Sequence, residues 1–426
     1  MASSANQETT TTEIIGEGSQ SITVKPPVKC LEEDKKLNNN TMKSGIVSQI
    51  MNLRVSQKKK NIITELGLDK EDVGLINSFF ILKPIGDICI EPNIDLTELS
   101  SMFPFIEKPS MLYFENGGSN LTKFIKTDIH WLIKFRNILR GVEFLIEKNI
   151  VHGDIKFGNI VFNPLKNTDF KLIDFGIART METISSNPQF YNFTEDNWRS
   201  FVGIDLVIPL NSFLIYCHYV ITKNLKERFD IIGFFSLILQ NYRLYFKKEH
   251  YYKILENFYQ EFFPDFNYFY EKEAEISKLL SPERPRIYTN ENIKLESIMQ
   301  HIDLYSIGLC LLRFCFQNLI YRKKEERTNI QEAVLTFIYV NKLLHQDLTP
   351  DDNFNINVVC ENYDTLLKAL ESGDKDIDIE RSRDVFKLKG GFKKKSNKKS
   401  NKTLKKIKFI KTFKSKKNKQ KNKQKK

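Results

Sequence analysis

The chain has 426 residues, 41% of them hydrophobic and 12% aromatic, which suits a large globular body and excludes a fibrous or wholly disordered chain. Its formal net charge of +12 is unevenly placed: residues 387–426 hold twenty lysines and no acidic residue, so the preceding body is mildly acidic. The six cysteines lack CxxC spacing, which argues against a zinc site. With no secretory signal at the N-terminus, reduced thiols and a cytoplasmic location are expected.

In chain order, residues 1–12 are Ser/Thr/Asn-rich and predict disorder. Gly16 and Gly18, followed by Ile22 and Val24, predict a strand, a glycine turn and a second strand that Pro26-Pro27 ends. Such a turn lets backbone N–H groups approach phosphates closely, although an ordinary hairpin uses the same residues. Residues 31–43 are polar and predict a surface loop, and the apolar run 45–51 predicts a strand with Gln49 facing inward. A helix is expected around KKKNIITELGL, then strands at Asn77–Lys83 and Lys108–Glu115, the latter running into Asn116-Gly117-Gly118. Between Thr127 and Lys148, Leu132, Phe135, Ile138, Leu139, Val142, Leu145 and Ile146 recur at helical spacing and predict a long packing helix.

Residues 150–176 carry the chemistry. His152, Asp154, Lys156 and Asn159 lie between apolar runs, and after fourteen intervening residues come Asp174, Phe175 and Gly176. Phosphoryl transfer needs a metal held against the phosphates, a carboxylate to orient the attacking hydroxyl, and positive charge where negative charge develops. Asp154 is suited to accept the hydroxyl proton. Lys156, two residues on in extended chain, falls on the same side, and Asn159 and Asp174 offer the hard oxygens that magnesium prefers.

H-x-D-x-K-x-x-N followed by D-F-G resembles the catalytic and metal-binding loops of eukaryotic-type protein kinases, and HGDIK resembles the vaccinia-related branch of serine/threonine kinases. The resemblance implies an α+β, bilobal protein-kinase-like fold with a small β-rich N-lobe and a larger helical C-lobe. It places the N-lobe and hinge at 13–118 and the C-lobe at 119–386, with a helical insertion at about 222–300 and a disordered Lys-rich tail at 387–426. It implies ATP and Mg2+, with Asp154, Lys156 and Asn159 catalytic and Asn159 and Asp174 metal-binding. Gly16, Gly18, Phe114, Glu115 and Gly117 would bind nucleotide, and a protein serine or threonine would be the acceptor. Gln49 departs from the family at the strand position that normally presents a phosphate-clamping lysine; Lys25 and Lys43 are alternative sources of that charge, and Glu65 is the candidate helix carboxylate.

Gly153 occupies the place of the arginine that usually receives an activation-segment phosphate, so Thr180, Thr183, Ser185 and Ser186 are not expected to switch activity. Ile208-Pro209-Leu210 stands where A-P-E would, without the glutamate. D-x-Y-S-x-G at Asp303–Gly308 resembles the central C-lobe helix, whose aspartate holds the catalytic loop. The stretch 201–221 has membrane length but contains Asp205, Asn211 and His218, and reads as buried core with no transmembrane segment. The tail predicts non-specific polyanion contact or a localisation role, nuclear included. The divergent N-lobe and tail resemble kinases of large DNA viruses. Two rival readings stay open: a pseudokinase scaffold, favoured by Gln49, and a small-molecule kinase of the aminoglycoside or choline type. The latter generally lacks the Lys156 equivalent and the D-x-Y-S-x-G helix.

Overall fold

The computed structural model describes residues 13–17, 21–30, 45–90, 92–93, 103–104, 106–123, 128–164, 167–186, 250–262, 295–317, 320–344 and 355–372. All of them fall within one compact unit, residues 1–379.

The N-terminal part is a five-stranded antiparallel sheet in the order β1-β2-β3-β5-β4, built from β1 (Glu13–Glu17), β2 (Ser21–Lys25), β3 (Ile46–Asn52), β4 (Ile85–Cys89) and β5 (Pro109–Glu115). Side chains alternate across these strands with period two, so the two faces differ. Ile22, Val24, Ile46 and Ile50 join Met111 and Tyr113 in a core on one face. Ser21, Thr23, Val47 and Gln49 take the other face and line a cleft. Two polar contacts close the covered side: the Val28 N–H donates to Ser48 Oγ (2.8 Å), and Tyr113 Oη donates to the Val28 carbonyl (2.9 Å).

Helix α1 (Leu53–Glu65) follows β3 directly, and the Ser56 and Ser110 hydroxyls, 2.8 Å apart, fasten it to β5. Its Ile62 and Leu66 belong to the larger core below, so α1 bridges the sheet and the helical body. That body is formed by α2 (Val73–Phe79), α3 (Ile129–Glu147), α4 (Met181–Ser186), α5 (His250–Phe262), α6 (Leu295–Cys315), α7 (Asn329–Val340) and α8 (Ile356–Glu371). Local signals start several of them: the Asp128 carboxylate accepts from the Trp131 N–H at the head of α3, and Thr328 and Gln331 form a reciprocal capping box on α7. Trp131 stacks between Phe135 and Phe314, and Tyr363 Oη donates to the Leu132 carbonyl, which joins α3, α6 and α8. Arg327, whose side chain is fully buried, pairs with Glu261 and Glu332 and ties α5 to α7.

Three expectations are corrected. Asn77–Lys83 is not a strand. The Asp72 side chain accepts from the Leu75 N–H and starts α2, which runs through residue 79, and only Phe80 makes an isolated bridge, to Leu172. A short apolar run fits a buried helix turn as well as a strand. The cysteines are not all reduced: Cys30 and Cys89 form a disulfide (S–S 2.06 Å) because β4 brings their Cα atoms to 5.8 Å across 59 residues of sequence. Glu65 is exposed at the end of α1 rather than in the cleft, because a different stripe of that helix faces inward. Several expectations lie outside the described residues: Gly18, Lys43, the 201–221 stretch, Ile208-Pro209-Leu210 and the 387–426 tail. Within 222–300, the described residues 250–262 and 295–300 are helical. Among the described residues, no helix is long and apolar enough to cross a membrane.

Candidate active site

The floor of the cleft is built from short strands joined by tight loops: β6 (Ser119–Asn120), β7 (Ile150–Val151), β8 (Ile160–Phe162) and β9 (Lys171–Leu172). Between β7 and β8 the chain turns sharply at Gly153 (φ 75°), a left-handed conformation suited to glycine. This turn is held from below. The His152 and Gly153 N–H groups donate to the two carboxylate oxygens of Asp303 on α6, at 2.7 and 2.9 Å. Asp303 is fully buried, and burial lifts its carboxyl to about 6 despite these two bonds.

His152 is equally buried. Its Nδ1 accepts from the Asp154 N–H (3.2 Å), which assigns the proton to Nε2, 3.3 Å from the Ile173 carbonyl. Burial holds the imidazole neutral, with its pKa lowered to about 4. Phe175 is wedged edge-on between His152 and Phe80, with ring centroids at 4.5 and 5.2 Å. The Ile173 N–H donates to the Asn159 carbonyl (2.9 Å) and sets the second loop against the first.

The polar residues therefore converge. Asn159 donates both Nδ2 hydrogens to Asp154, one to its carbonyl (2.9 Å) and one to Oδ2 (2.8 Å), which leaves Asn159 Oδ1 as an acceptor. Lys156 Nζ lies 3.0 Å from Asp154 Oδ1. Desolvation raises the Asp154 carboxyl to about 6 although Lys156 opposes the rise. Asp174 takes a left-handed backbone (φ 63°), and its carboxyl opens onto the cleft. Loss of water pushes that carboxyl up, but the Lys59 ammonium, His152 and Lys156 outweigh it and hold it below its usual range.

Above this floor is a cavity of about 230 Å³. Its far wall is the end of β5 and the segment that follows, where Phe114, Glu115, Asn116 and Gly117 all line it. A Cβ on Gly117 would run into Val161 Cγ2 and Ile81 Cδ1, so the backbone passes as close as a side-chain-free residue allows. The Glu115 side chain pairs with Lys171 (3.4 Å). Gly16 of β1 lines the roof near Thr23. Gln49 faces the cavity as expected: its Nε2 donates to Ser21 Oγ (3.0 Å) and its Oε1 accepts from Lys59 Nζ (3.2 Å).

Lys59 is the functional residue that sequence reasoning missed. Lys25 is exposed at the end of β2, whereas Lys59 reaches the cleft from α1 and lies 3.3 Å from Asp174 Oδ1. Once the helix start is fixed, Lys59 falls on the inward stripe formed by Ser56, Ile62 and Leu66, while Lys58 lines the cavity from an exposed position and Lys60 points away to Asp87.

The donor set fits a hard divalent cation. Asp174 and Asn159 present oxygen ligands on one side of the cavity. Among the described residues, no group of three or more His, Cys, Asp or Glu forms a closed cage. Magnesium is commonly held in this way, by one or two carboxylates with phosphate oxygens and water completing the shell. Together the site offers a cavity walled by Phe114–Gly117, oxygen ligands from Asn159 and Asp174 that suit a metal-bound polyphosphate, and beside them a carboxylate paired with a lysine.

Comparison with known proteins agrees with this geometry. Residues 114–199 match the protein kinase domain family. The chain is 40% identical over 76 residues to mitogen-activated protein kinase 14 of Arabidopsis thaliana, an alignment covering 17% of this chain and 20% of that protein. It is 43% identical over 111 residues to mitogen-activated protein kinase 13 of the same plant, covering 23% and 30%. Mitogen-activated protein kinase HOG1B of Wallemia ichthyophaga is 32% identical over 113 residues, covering 24% and 27%. The chain thus spans between 20% and 30% of the length of these relatives. These matches support a eukaryotic-type protein kinase, and the sheet, cleft and helical body form the bilobal protein-kinase fold.

Proposed function

We propose that the protein transfers the γ-phosphate of ATP to serine or threonine hydroxyls of proteins. The observation that carries this reading is the clustering of Asp154, Lys156, Asn159 and Asp174: Asn159 and Asp174 line the cavity, and Asp154, bonded to Asn159, carries Lys156 beside it. In the reaction, the acceptor oxygen bonds to the γ-phosphorus and the bond from that phosphorus to the β–γ bridging oxygen breaks, releasing ADP. Asp154 takes the hydroxyl proton. With a pKa of about 6 it is a carboxylate at neutral pH, yet basic enough to receive that proton. Lys156, 3.0 Å away, places positive charge where the transferring group becomes more negative, and its presence favours serine or threonine over tyrosine acceptors. Asn159 both orients Asp154 and, with Asp174, would hold Mg2+, which neutralises charge on the phosphates when bound. Phe114 and the backbone from Glu115 to Gly117 would receive the adenine, and Gly16 in β1 would cover the phosphates.

The test is phosphate incorporation from ATP into generic basic and acidic protein substrates. Asp154→Ala should lower it by about 10²- to 10⁴-fold. Incorporation that survives this substitution would overturn the assignment and leave the scaffold reading that Gln49 suggests.

The composition of residues 387–426 supports a second role, non-specific contact with polyanions by counterion release. Affinity of the full chain for nucleic acid should fall steeply as salt rises, and a flat response would exclude it.

A further inference from the structure

In the proposed kinase, the strand position facing the nucleotide phosphates holds an uncharged amide, Gln49, yet an ammonium group stands directly against that amide. Lys59 Nζ lies 3.2 Å from Gln49 Oε1 and 3.3 Å from Asp174 Oδ1. We propose that Lys59, delivered from helix α1, is the phosphate-gripping cation of this cleft, and that Gln49 is the tether that holds it there. The assignment rests on the nucleotide-binding reading above.

Three observations converge on it. The first is position on the helix. Lys58 and Lys59 both line the cavity, but Lys58 is exposed, whereas Lys59 is 16% exposed at its side chain and is the one bonded to Gln49 and Asp174; Lys60 pairs instead with Asp87. The second is anchoring. The helix is pinned on one side of Lys59 by the Ser56–Ser110 contact and on the other by Ile62 and Leu66 in the main core, so the residue between them is aimed by rigid structure. The third is donor count. A lysine ammonium has three donors and no acceptor; Gln49 and Asp174 accept two, which leaves a third for a phosphate oxygen beside the metal-binding carboxylate.

Gln49 then has a positive reason to be neutral. A lysine at that position would bring a second ammonium against Lys59, and like charges a few ångströms apart repel. Glutamine supplies an oxygen for Lys59 instead, and its own Nε2 is occupied by Ser21 Oγ at 3.0 Å, which fixes which end of the amide faces the lysine. The charge has moved from strand to helix, and the strand residue complements the move.

Calorimetric titration with ATP–magnesium and with adenosine tests this on the full chain. Lys59→Ala should weaken ATP by roughly 10- to 150-fold, the loss of one hydrogen bond to a charged group, and leave adenosine unchanged. Lys59→Gln, which keeps a polar stem of similar length, should do the same, and unchanged adenosine binding certifies its fold. Lys60→Ala, which removes one charge from the same run, should change ATP affinity by no more than about fivefold. Exchanging the two residues, Gln49→Lys with Lys59→Gln, should recover ATP affinity relative to Lys59→Gln alone. ATP affinity unaltered in Lys59→Ala, an equal loss for adenosine, an equal loss in Lys60→Ala, or no recovery on exchange would each overturn the role of Lys59. If the unmodified protein bound neither ATP nor adenosine, the kinase reading itself would fall.

Discussion

On the floor of the cleft Asp303, His152 and Asn159 each hold the loops by two contacts, whereas the roof reaches the floor through one linear chain, from Ser21 through Gln49 and Lys59 to Asp174. Asp303 holds two backbone N–H groups, His152 bridges Asp154 and Ile173, and Asn159 grips Asp154 twice. A network so closed tolerates no change of residue without orphaning a buried group. The roof is open-ended, and a charge can be supplied there from a neighbouring element as long as its ammonium arrives at the same place. That contrast explains how the floor can stay fixed while the strand position on the roof holds the uncharged Gln49.

The largest effect should come from breaking the floor. Asp303→Ala leaves the buried His152 and Gly153 N–H groups without acceptors, at a cost of about 1–3 kcal/mol each. Thermal denaturation should show the loss, together with loss of phosphorylation; an unchanged Tm would mean that the turn is held by other means. The roof offers a comparable handle. Cys30→Ser with Cys89→Ser opens a crosslink spanning 59 residues, and should lower stability by about 2–4 kcal/mol in chemical denaturation. If wild type in reductant matched wild type without it, the crosslink would contribute nothing.

A pH series sharpens the contrast further. His152 stays neutral in the fold down to about 4 but is protonated near 6.5 when unfolded, so it withdraws stability as pH falls through that window. Asp303 keeps its proton in the fold up to about 6 against 3.8 unfolded, so it adds stability as pH falls from 6 to 3.8. The two oppose each other. Asp303→Asn removes the second contribution, and its Tm should decline more steeply than wild type between pH 6.5 and 4; parallel curves would contradict this pairing. The smallest effect belongs to the segment after the floor. Thr180 Oγ1 accepts from the Thr183 N–H at the start of α4, so alanine at Thr180, Thr183, Ser185 and Ser186 should lower stability by about 1 kcal/mol. With Gly153 in place of an arginine, the same variant should keep its phosphorylation rate, and a large loss would reveal a switch in this segment.

The same contrast governs what could be read from the sequence. Residues 150–176 build the floor within one short stretch, so spacing alone was informative for Asp154, Asn159 and Asp174, and Asp303 was legible through its own local motif. The run Lys108–Glu115 was legible as β5 because Met111-Leu112-Tyr113-Phe114 is a short apolar run bounded by Pro109 on one side and Asn116-Gly117-Gly118 on the other, and Thr127–Lys148 was legible as α3 because its apolar period is strict. The roof depends on residues from three elements meeting in space. Nothing local in KKK distinguishes Lys59 until the helix start at Leu53 fixes which side faces inward, and Asn52, which precedes it, makes no side-chain cap that would announce that start. The Cys30–Cys89 pair was hidden for the same reason, since only the sheet brings 59 residues of separation down to 5.8 Å.

The most direct test is the magnesium dependence of ATP binding, measured by calorimetry on wild type and on Asp174→Asn. Wild type should bind ATP more tightly with Mg2+ than without it, and Asp174→Asn should lose that difference while still binding adenosine. Equal affinities with and without the metal, or an Asp174→Asn variant indistinguishable from wild type, would contradict a floor built to hold a metal-bound nucleotide.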